Sequence, residues 1–287
     1  MKNLLLIFLI FLLFHANTIL AQNSYIRKGS IGETKVESGP KKETIDPFSF
    51  RPVGSWVGER FIFLPKIKPN HQDGYTGFKN IDGEPVKLNY SEFVGRVAKV
   101  ISAGRFSDVE FEMEDNGDRV SVSAHRNGID GIALISDIDD ARKMWSGKTL
   151  WYKKNVISTY NEDTGDFGKI MVRKFSSIKV IGIFAGFYNG RPVRFILKTD
   201  SGKEGFVDVN MSGTNVSPTI RNEDRFQDFF FTINQKEIYN WSEKVWSAIE
   251  RENISNGMTK EQVLMSWGDP DEKSKSIYGN VSIDLWK

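Results

Sequence analysis

The sequence contains no cysteine among its 287 residues, and this absence excludes several kinds of chemistry. Disulfide bonds, thiol catalysis, thiolate metal sites and lipid attachment to an N-terminal cysteine all require that residue. Histidine is scarce as well, because beyond the N-terminal segment only His71 and His125 remain. Neither has another histidine near it in the sequence, so we predict no metal site and no cofactor.

An excess of one charge is also missing. The chain has 39 basic and 37 acidic residues, which gives a formal net charge of +2. No run of arginine and lysine is interleaved with aromatic residues. This balance gives no reason to expect binding to nucleic acid or to an anionic membrane surface, so we predict no nucleic-acid partner.

Three short motifs have the form of catalytic signatures, but their surroundings argue against catalysis. The triplets that begin at Asp163 and Asp200 match the aspartic-protease pair, yet their charged flanks favour ordinary turns. The segment 176–179, SSIK, has the S-x-x-K spacing of penicillin-binding enzymes but lies at the head of a predicted strand. We therefore predict no enzymatic activity and no catalytic or cofactor-binding residue.

The N-terminus has the pattern of a secretory signal peptide. Lys2 precedes an apolar run of about 11 residues, and the small residue Ala21 suits cleavage. Since a spanning helix needs about 20 apolar residues, we predict no transmembrane anchor after removal of residues 1–21. The polar residues 22–44 indicate a flexible linker. We expect secretion across the inner membrane to the periplasm or cell envelope of a bacterium.

From about residue 45 the chain is rich in predicted strands. Short runs of Val, Ile and Phe alternate with turns that contain Gly, Asn and Asp. An internal repeat is also visible, because WVGERFIFLPK at Trp56 resembles WSGKTLWYKKN at Trp145, and later segments recur in the same order. The sequence predicts two repeated β-rich, barrel-like domains, at 45–140 and 141–215.

The segment 200–209, DSGKEGFVDV, is similar to the end of the small β-barrels of bacterial Src-homology-3 type, and NGIDGIALISDI from Asn127 is a weaker echo. The resemblance implies tandem small barrels, which in bacterial envelope proteins often bind cell-wall peptides. The alternative is a pair of β-domains that only hold something in place.

The last third of the chain is predicted to form an α+β module at 221–287. Ile238, Trp241, Val245 and Ile249 share one helical face. A second helix is predicted to begin at Thr259, whose capping box is completed by Gln262 three residues later. In that helix Val263, Leu264 and Trp267 are predicted to form the apolar face. A final strand, VSIDLW, completes a helix-helix-strand tail.

This tail resembles the SmpA/OmlA family, whose best-known members are BamE lipoproteins of the outer-membrane barrel-assembly machinery. The matching positions are Gly257, Met258, Thr259, Val263, Gly268, Pro270 and Trp286. The resemblance covers about the last 50 residues and implies a fold and a habit of binding other proteins. The family's sheet has further strands after the tryptophan, so either strands come from elsewhere or the tail is incomplete. We interpret the matched residues as structural.

Together these patterns predict a secreted, non-catalytic envelope protein that binds an envelope protein or a cell-wall peptide. The alternative is an inhibitor or accessory subunit of a secreted or wall-active enzyme, and an enzyme comes third. An exposed aromatic patch on a barrel would favour binding, whereas acids or a histidine gathered in one pocket would favour catalysis.

Overall fold

A computed structural model describes residues 51–104, 108–124, 128–188, 190–216 and 224–270, together with the strands at 273–278 and 281–286. The predicted signal peptide and linker lie outside the described residues. The chain is mostly β, with two curled antiparallel sheets of seven strands each and a few C-terminal helices. The predicted fold class is confirmed at this level. No helix in the described part of the chain is long and apolar enough to cross a membrane.

The first sheet forms the first unit, with one short 3₁₀ helix before β1 and another between β1 and β2. Its strands are β1 Arg60–Phe63, β2 Tyr75–Lys79, β3 Pro85–Leu88, β4 Val97–Ala103, β5 Asp108–Met113, β6 Arg119–Ser123 and β7 Ile132–Leu134. A one-turn helix α1, Tyr90–Phe93, precedes β4. Alternate residues of β5, such as Val109 and Phe111, are buried because successive side chains of a strand point to opposite faces.

The second sheet forms the second unit. Its strands are β8 Thr149–Tyr152, β9 Val156–Tyr160, β10 Phe167–Met171, β11 Ser177–Tyr188, β12 Arg191–Thr199, β13 Glu204–Val209 and β14 Phe230–Phe231. Its core gathers Val180, Ile183, Val193, Phe195 and Leu197 with the one-turn helix α3, Phe226–Phe229. Each sheet thus encloses its own apolar core on one face.

The two sheets have the same strand order, β3-β2-β6-β5-β4-β1-β7 and β10-β9-β13-β12-β11-β8-β14. Trp56 and Trp145 each stand four residues before the first strand of their sheet. The register shifts by one residue at Ile101 in β4 and at Ile181 in β11, so the same β-bulge occurs in both units. The recurrence in the sequence therefore corresponds to a recurrence of the fold.

Helix α2, Ile135–Trp145, and the loop 210–216 join the two units. Asn215 accepts a hydrogen bond from the Ile129 amide at 2.6 Å and donates to the carbonyls of Ile129 and Ile132 at 2.9 and 2.8 Å. The Ser212 hydroxyl donates to the buried carboxylate of Asp137 in the first turn of α2, at 2.8 Å. A loop of the second unit is thereby fixed against the first.

The C-terminal helices are α4 Gln235–Ile238, α5 Glu243–Glu250 and α6 Lys260–Trp267, followed by the hairpin of β15 Lys273–Tyr278 and β16 Val281–Trp286. The single apolar helix expected through Trp241 is wrong. The Ser242 hydroxyl accepts from the Val245 amide and starts a new helix there, while Trp241 stacks on Tyr239 with ring centroids 4.5 Å apart. A local side-chain cap competes with helix continuation at this point.

The strand bounds differ from the predicted domain limits. The limit at residue 140 falls inside α2, and β14 of the second sheet lies beyond the limit at residue 215. The weaker echo that begins at Asn127 leads into β7, whose counterpart in the second sheet is β14. The first-unit counterpart of β13 is β6, which follows the turn at Asp115–Gly117. The two similar sequence segments therefore form strands that are not equivalent in the two sheets.

Candidate functional site

The residues that match the SmpA/OmlA pattern lie around helix α6. The Thr259 hydroxyl accepts from the Gln262 amide at 3.3 Å, and the Gln262 side chain accepts from the Thr259 amide at 2.9 Å, so the capping box is formed. Gly268 ends the helix at φ +89°, and its amide donates to the Leu264 carbonyl. Met258 packs against the cluster of Trp246 and Ile249.

Other matched positions also lie at structural places. Gly257 has φ +88° before the helix, Val263 is half-buried within it, and Pro270 follows its end. Trp286 ends β16, where only the backbone is described. These positions shape one short helix and its flanks.

The expectation that Trp267 is buried is wrong. Its side chain is 67% exposed, and its indole nitrogen donates to the Glu252 carbonyl at 2.6 Å. The helix buries Gln262 and Ser266 instead, and the Ser266 carbonyl accepts from Lys174 of the second unit. Of the three residues predicted to form the apolar face, Val263 and Leu264 are half-buried and only Trp267 is exposed.

The three motifs that have the form of catalytic signatures lie in exposed turns and at strand ends. Asp163 lies in the β9–β10 turn, where its amide donates to the Asn161 side chain at 2.9 Å. Asp200 accepts from the Ser177 hydroxyl at the β12–β13 turn. Lys179 is exposed on β11, as expected for a strand. Within the described ranges no group of three or more His, Asp or Glu residues is arranged to hold a metal ion.

The outer side of the second sheet carries a group of aromatic rings, which we call the aromatic face. Its members are Tyr160, Phe167, Phe184, Phe187 and Phe206. The Phe187 ring lies 4.9 Å from Tyr160, 6.1 Å from Phe167 and 6.4 Å from Phe206, measured between centroids. Phe167 is 51% and Phe184 56% exposed. A surface of this kind indicates an interaction site rather than a core.

Arg194 lies at the centre of the aromatic face. Its guanidinium carbon is 3.8 Å from the Phe187 ring centroid and 3.7 Å from that of Phe206. It donates two hydrogen bonds of 2.7 Å to the carboxylate of Asp208 on β13. Because Phe184 pairs directly with Arg194 across the strands, its ring stands on the same side of the sheet. The buried ion pair thus holds the rings in place.

The corresponding side of the first sheet is polar. With the shared bulge as the reference point, Arg194 corresponds to Asp108, Phe206 to Ser121 and Asp208 to Ser123. The neighbouring outward residues of the first sheet are Glu110, Glu112 and Arg119, which form ion pairs. The aromatic face is therefore a property of the second unit and not a requirement of the fold.

A second feature is a cleft of about 830 Å³ between the second unit and helix α6, which we call the lysine cleft. Lys153, Lys154 and Lys174 line it together with the rings of Phe175, Phe229, Phe231 and Trp267. Lys153 Nζ donates to the Gln227 carbonyl at 2.7 Å and lies 4.5 Å from the Phe231 ring centroid. Lys174 Nζ donates to the Ser266 carbonyl at 2.6 Å and lies 3.4 Å from Glu252.

The three ammonium groups of the lysine cleft repel one another. Burial lowers the pKa of Lys153, and the charges of Lys154 and Lys174 act in the same direction against that of Asp228. Burial also lowers the pKa of Lys174, with Glu252 opposing and Lys154 adding to the effect. The lining also includes the carboxylates of Asp224, Asp228, Glu252, Glu261 and Asp269, so the lysines are not the only charged groups of the cleft.

Both features escaped the sequence interpretation, although signals for them were present. Strand β11 contains VIGIFAGFY, an apolar run on both faces, where a half-buried strand would alternate. The repeat alignment places Lys153 and Lys154 opposite Leu64 and Pro65. The significance of either signal becomes clear only when the two units are compared. The lysine cleft also requires the knowledge that β14 and α6 lie beside these lysines.

Comparisons of the chain with protein-family models, with curated proteins and with solved structures gave no match in any of the three.

Proposed function

We propose that this is a secreted, non-catalytic envelope protein that binds another protein through the aromatic face of its second unit. The observation that carries the proposal is the group of five rings, of which Phe167 and Phe184 are exposed. The residues of the first unit that correspond to Arg194, Phe206 and Asp208 are polar instead. Aromatic residues and arginine are the side chains most enriched at the centres of protein interfaces. The signal-peptide pattern and the family resemblance of the tail add the envelope location to the proposal.

The proposed occupant is an extended acidic segment of the partner protein. Strand β10 is an edge of the second sheet, and it presents Phe167, Lys169 and Met171 outward. Lys169 and the exposed Lys179 of β11 form no ion pair with described residues. An added strand would satisfy the open backbone edge, place alternate side chains against the rings and bring its carboxylates to these lysines.

A site-specific cross-linking experiment tests the proposal. A photoreactive phenylalanine analogue replaces Phe184, and the control places it at Ile81, which is 76% exposed just after β2 of the first unit. Each variant is mixed with solubilised envelope proteins and, separately, with purified cell-wall sacculi. We expect one discrete protein adduct at position 184 and none at position 81. The charge reversal K169E should lower the yield several-fold.

Other outcomes of the same experiment contradict the proposal in different ways. Equal adducts at both positions would remove the aromatic face as a specific site. Retention by sacculi without a protein adduct would show cell-wall material to be the ligand. Release of soluble wall fragments from the sacculi would favour an enzyme.

A further inference from the structure

The lysine cleft is a second potential binding site, separate from the aromatic face. The cleft lies where β8, β14 and α6 meet, whereas the aromatic face is on β9 to β13. A cavity of about 830 Å³ is within the usual size range of small-molecule sites, about 300–1,000 Å³. Four aromatic rings contribute apolar surface to the cleft, and its charged groups are three lysines and five carboxylates.

The first unit provides an internal comparison for these lysines. The Lys153 amide donates to the Phe229 carbonyl at 2.7 Å, just as the Leu64 amide donates to the Gly131 carbonyl at 2.8 Å. Lys153 thus occupies the position of Leu64, which is fully buried in the first unit. The fold accepts an apolar side chain here, and a lysine at the same place carries a desolvation cost.

The same comparison applies to Lys174. The Phe175 amide donates to the Tyr152 carbonyl, and the Gly95 amide donates to the equivalent Phe63 carbonyl. Lys174 therefore corresponds to Val94. Two positions that hold apolar residues in the first unit hold lysines in the second, and both lysines line the same cleft.

The carboxylates of the cleft leave two of the lysines without an ion pair. Five carboxylates line the cleft, and each has a partner other than Lys153 and Lys154. Glu252 pairs with Lys174 at 3.4 Å, Asp224 pairs with Arg191 at 3.5 Å, and Asp228 accepts from the Arg225 amide at 2.9 Å in a helix cap. Glu261 accepts a hydrogen bond from the Tyr239 hydroxyl, and Asp269 also has an interaction partner. Neither Lys153 nor Lys154 forms an ion pair with any described carboxylate. Lys154 has only a ring contact, at 5.8 Å from the Phe229 centroid.

We propose that the lysine cleft binds a small ligand with a carboxylate and an apolar body, with the carboxylate held by Lys153 and Lys154. Charge-assisted hydrogen bonds from two ammonium groups would orient the acid. The rings of Phe229, Phe231 and Trp267 would cover the apolar part. Such a carboxylate can come from a fatty acid or from the C-terminus of a short apolar peptide, and the two sources are distinguished by experiment.

Calorimetric titration of the chain from Gln22 to Lys287 tests the proposal with paired probes. The first pair is decanoate and decanol, and the second is acetyl-Leu-Leu-Phe with a free or an amidated C-terminus. We expect one carboxylate to bind at least tenfold more tightly than its neutral partner. The pair that shows this difference identifies the source of the ligand.

The variant K153L restores the residue of the first unit and separates binding from folding. We expect it to raise the melting temperature, because a desolvated ammonium is removed, and to weaken carboxylate binding at least tenfold. K154M should weaken binding to a similar degree, while the control K143M, on exposed helix α2, should leave it unchanged. Equal binding of acid and neutral probes, unchanged binding by K153L, or no binding of either acid at millimolar concentration would each overturn the proposal.

Discussion

At the scale of single residues, the buried ion pair of Arg194 and Asp208 shows how a charged group can organise an apolar surface. The guanidinium satisfies the carboxylate with two hydrogen bonds, and its carbon lies 3.8 and 3.7 Å from the ring centroids of Phe187 and Phe206. Its planar fork allows the two hydrogen bonds and the ring contacts at once, which a lysine ammonium could not do. The rings are therefore ordered by an ion pair beneath them as well as by one another.

Replacement of Arg194 should lower the free energy of unfolding. We expect R194M to lower the free energy of unfolding by about 3 kcal/mol, because it leaves the buried carboxylate of Asp208 without a partner. The double variant R194M/D208L should recover most of that loss, since no charge then remains unpaired. Urea unfolding of the two variants and of R194K measures the effect. A double variant as unstable as R194M would show that ring packing, and not the lone carboxylate, accounts for the loss.

The Thr259 cap gives a second prediction at this scale. T259A removes the acceptor of the Gln262 amide and should lower the free energy of unfolding by about 1 kcal/mol. The control T259S retains the hydroxyl and should remain near the parent. W267A should cost about 1 kcal/mol, because the exposed indole loses one hydrogen bond and little burial. Thermal melts compare the three, and a loss from W267A several times that of T259A would contradict the exposed position of the indole.

At the scale of elements, helix α2 carries a buried carboxylate in its first turn. Burial raises the pKa of Asp137 from 3.8 to about 7, although hydrogen bonds from the Ser212 hydroxyl and amide oppose the shift. Between these two values the folded chain keeps a proton that the unfolded chain has released. The free energy of unfolding contributed by this group therefore falls as pH rises from about 4 to about 7 and then levels off.

The variant D137N tests this dependence. An amide of the same shape cannot ionise, so D137N should lose the decline in stability across that pH window while the parent shows it. Urea unfolding at several pH values between 4 and 8 gives the comparison, with D139N on the exposed side of the same helix as the control. Parallel pH profiles of the parent and D137N would show that Asp137 does not titrate there.

The elements differ in how far the sequence predicts them. The strands around Val109 and Val193 and the Thr259 cap are predictable, because alternation and capping depend on neighbours within a few residues. Strand β14 was missed because Phe230 and Phe231 pair with β8, which lies far away in sequence. The break before Ser242 follows from a local side-chain cap that competes with the apolar period. The exposure of Trp267 depends on tertiary packing, which overrides the period.

At the scale of the whole molecule, the two units share one fold but differ in their outer surfaces. The cores keep the same strand order and the same bulge, while the outer side is charged in the first unit and aromatic in the second. Lys153, which lies beside the tail helices, occupies the position that Leu64 has in the first unit. Neither candidate site could be predicted without this comparison, because no catalytic or ligand-binding motif marks either of them. The function we propose therefore depends on where the copies differ.

The two units should unfold as one cooperative body as long as the loop 210–216 is held in place. Asn215 is buried, has φ +60° and makes three hydrogen bonds to the backbone of the first unit. N215A leaves those backbone groups without their partner and should lower the free energy of unfolding by about 3 kcal/mol. N215G keeps the backbone freedom but lacks the amide, so it should be nearly as unstable.

Hydrogen exchange measured by mass spectrometry should show, in N215A and N215G, protection that differs between the two units. In the parent, protection should be lost in both units together. Stability restored by N215G would instead assign the role of Asn215 to its backbone conformation, and unchanged joint exchange in both variants would show that other contacts couple the units.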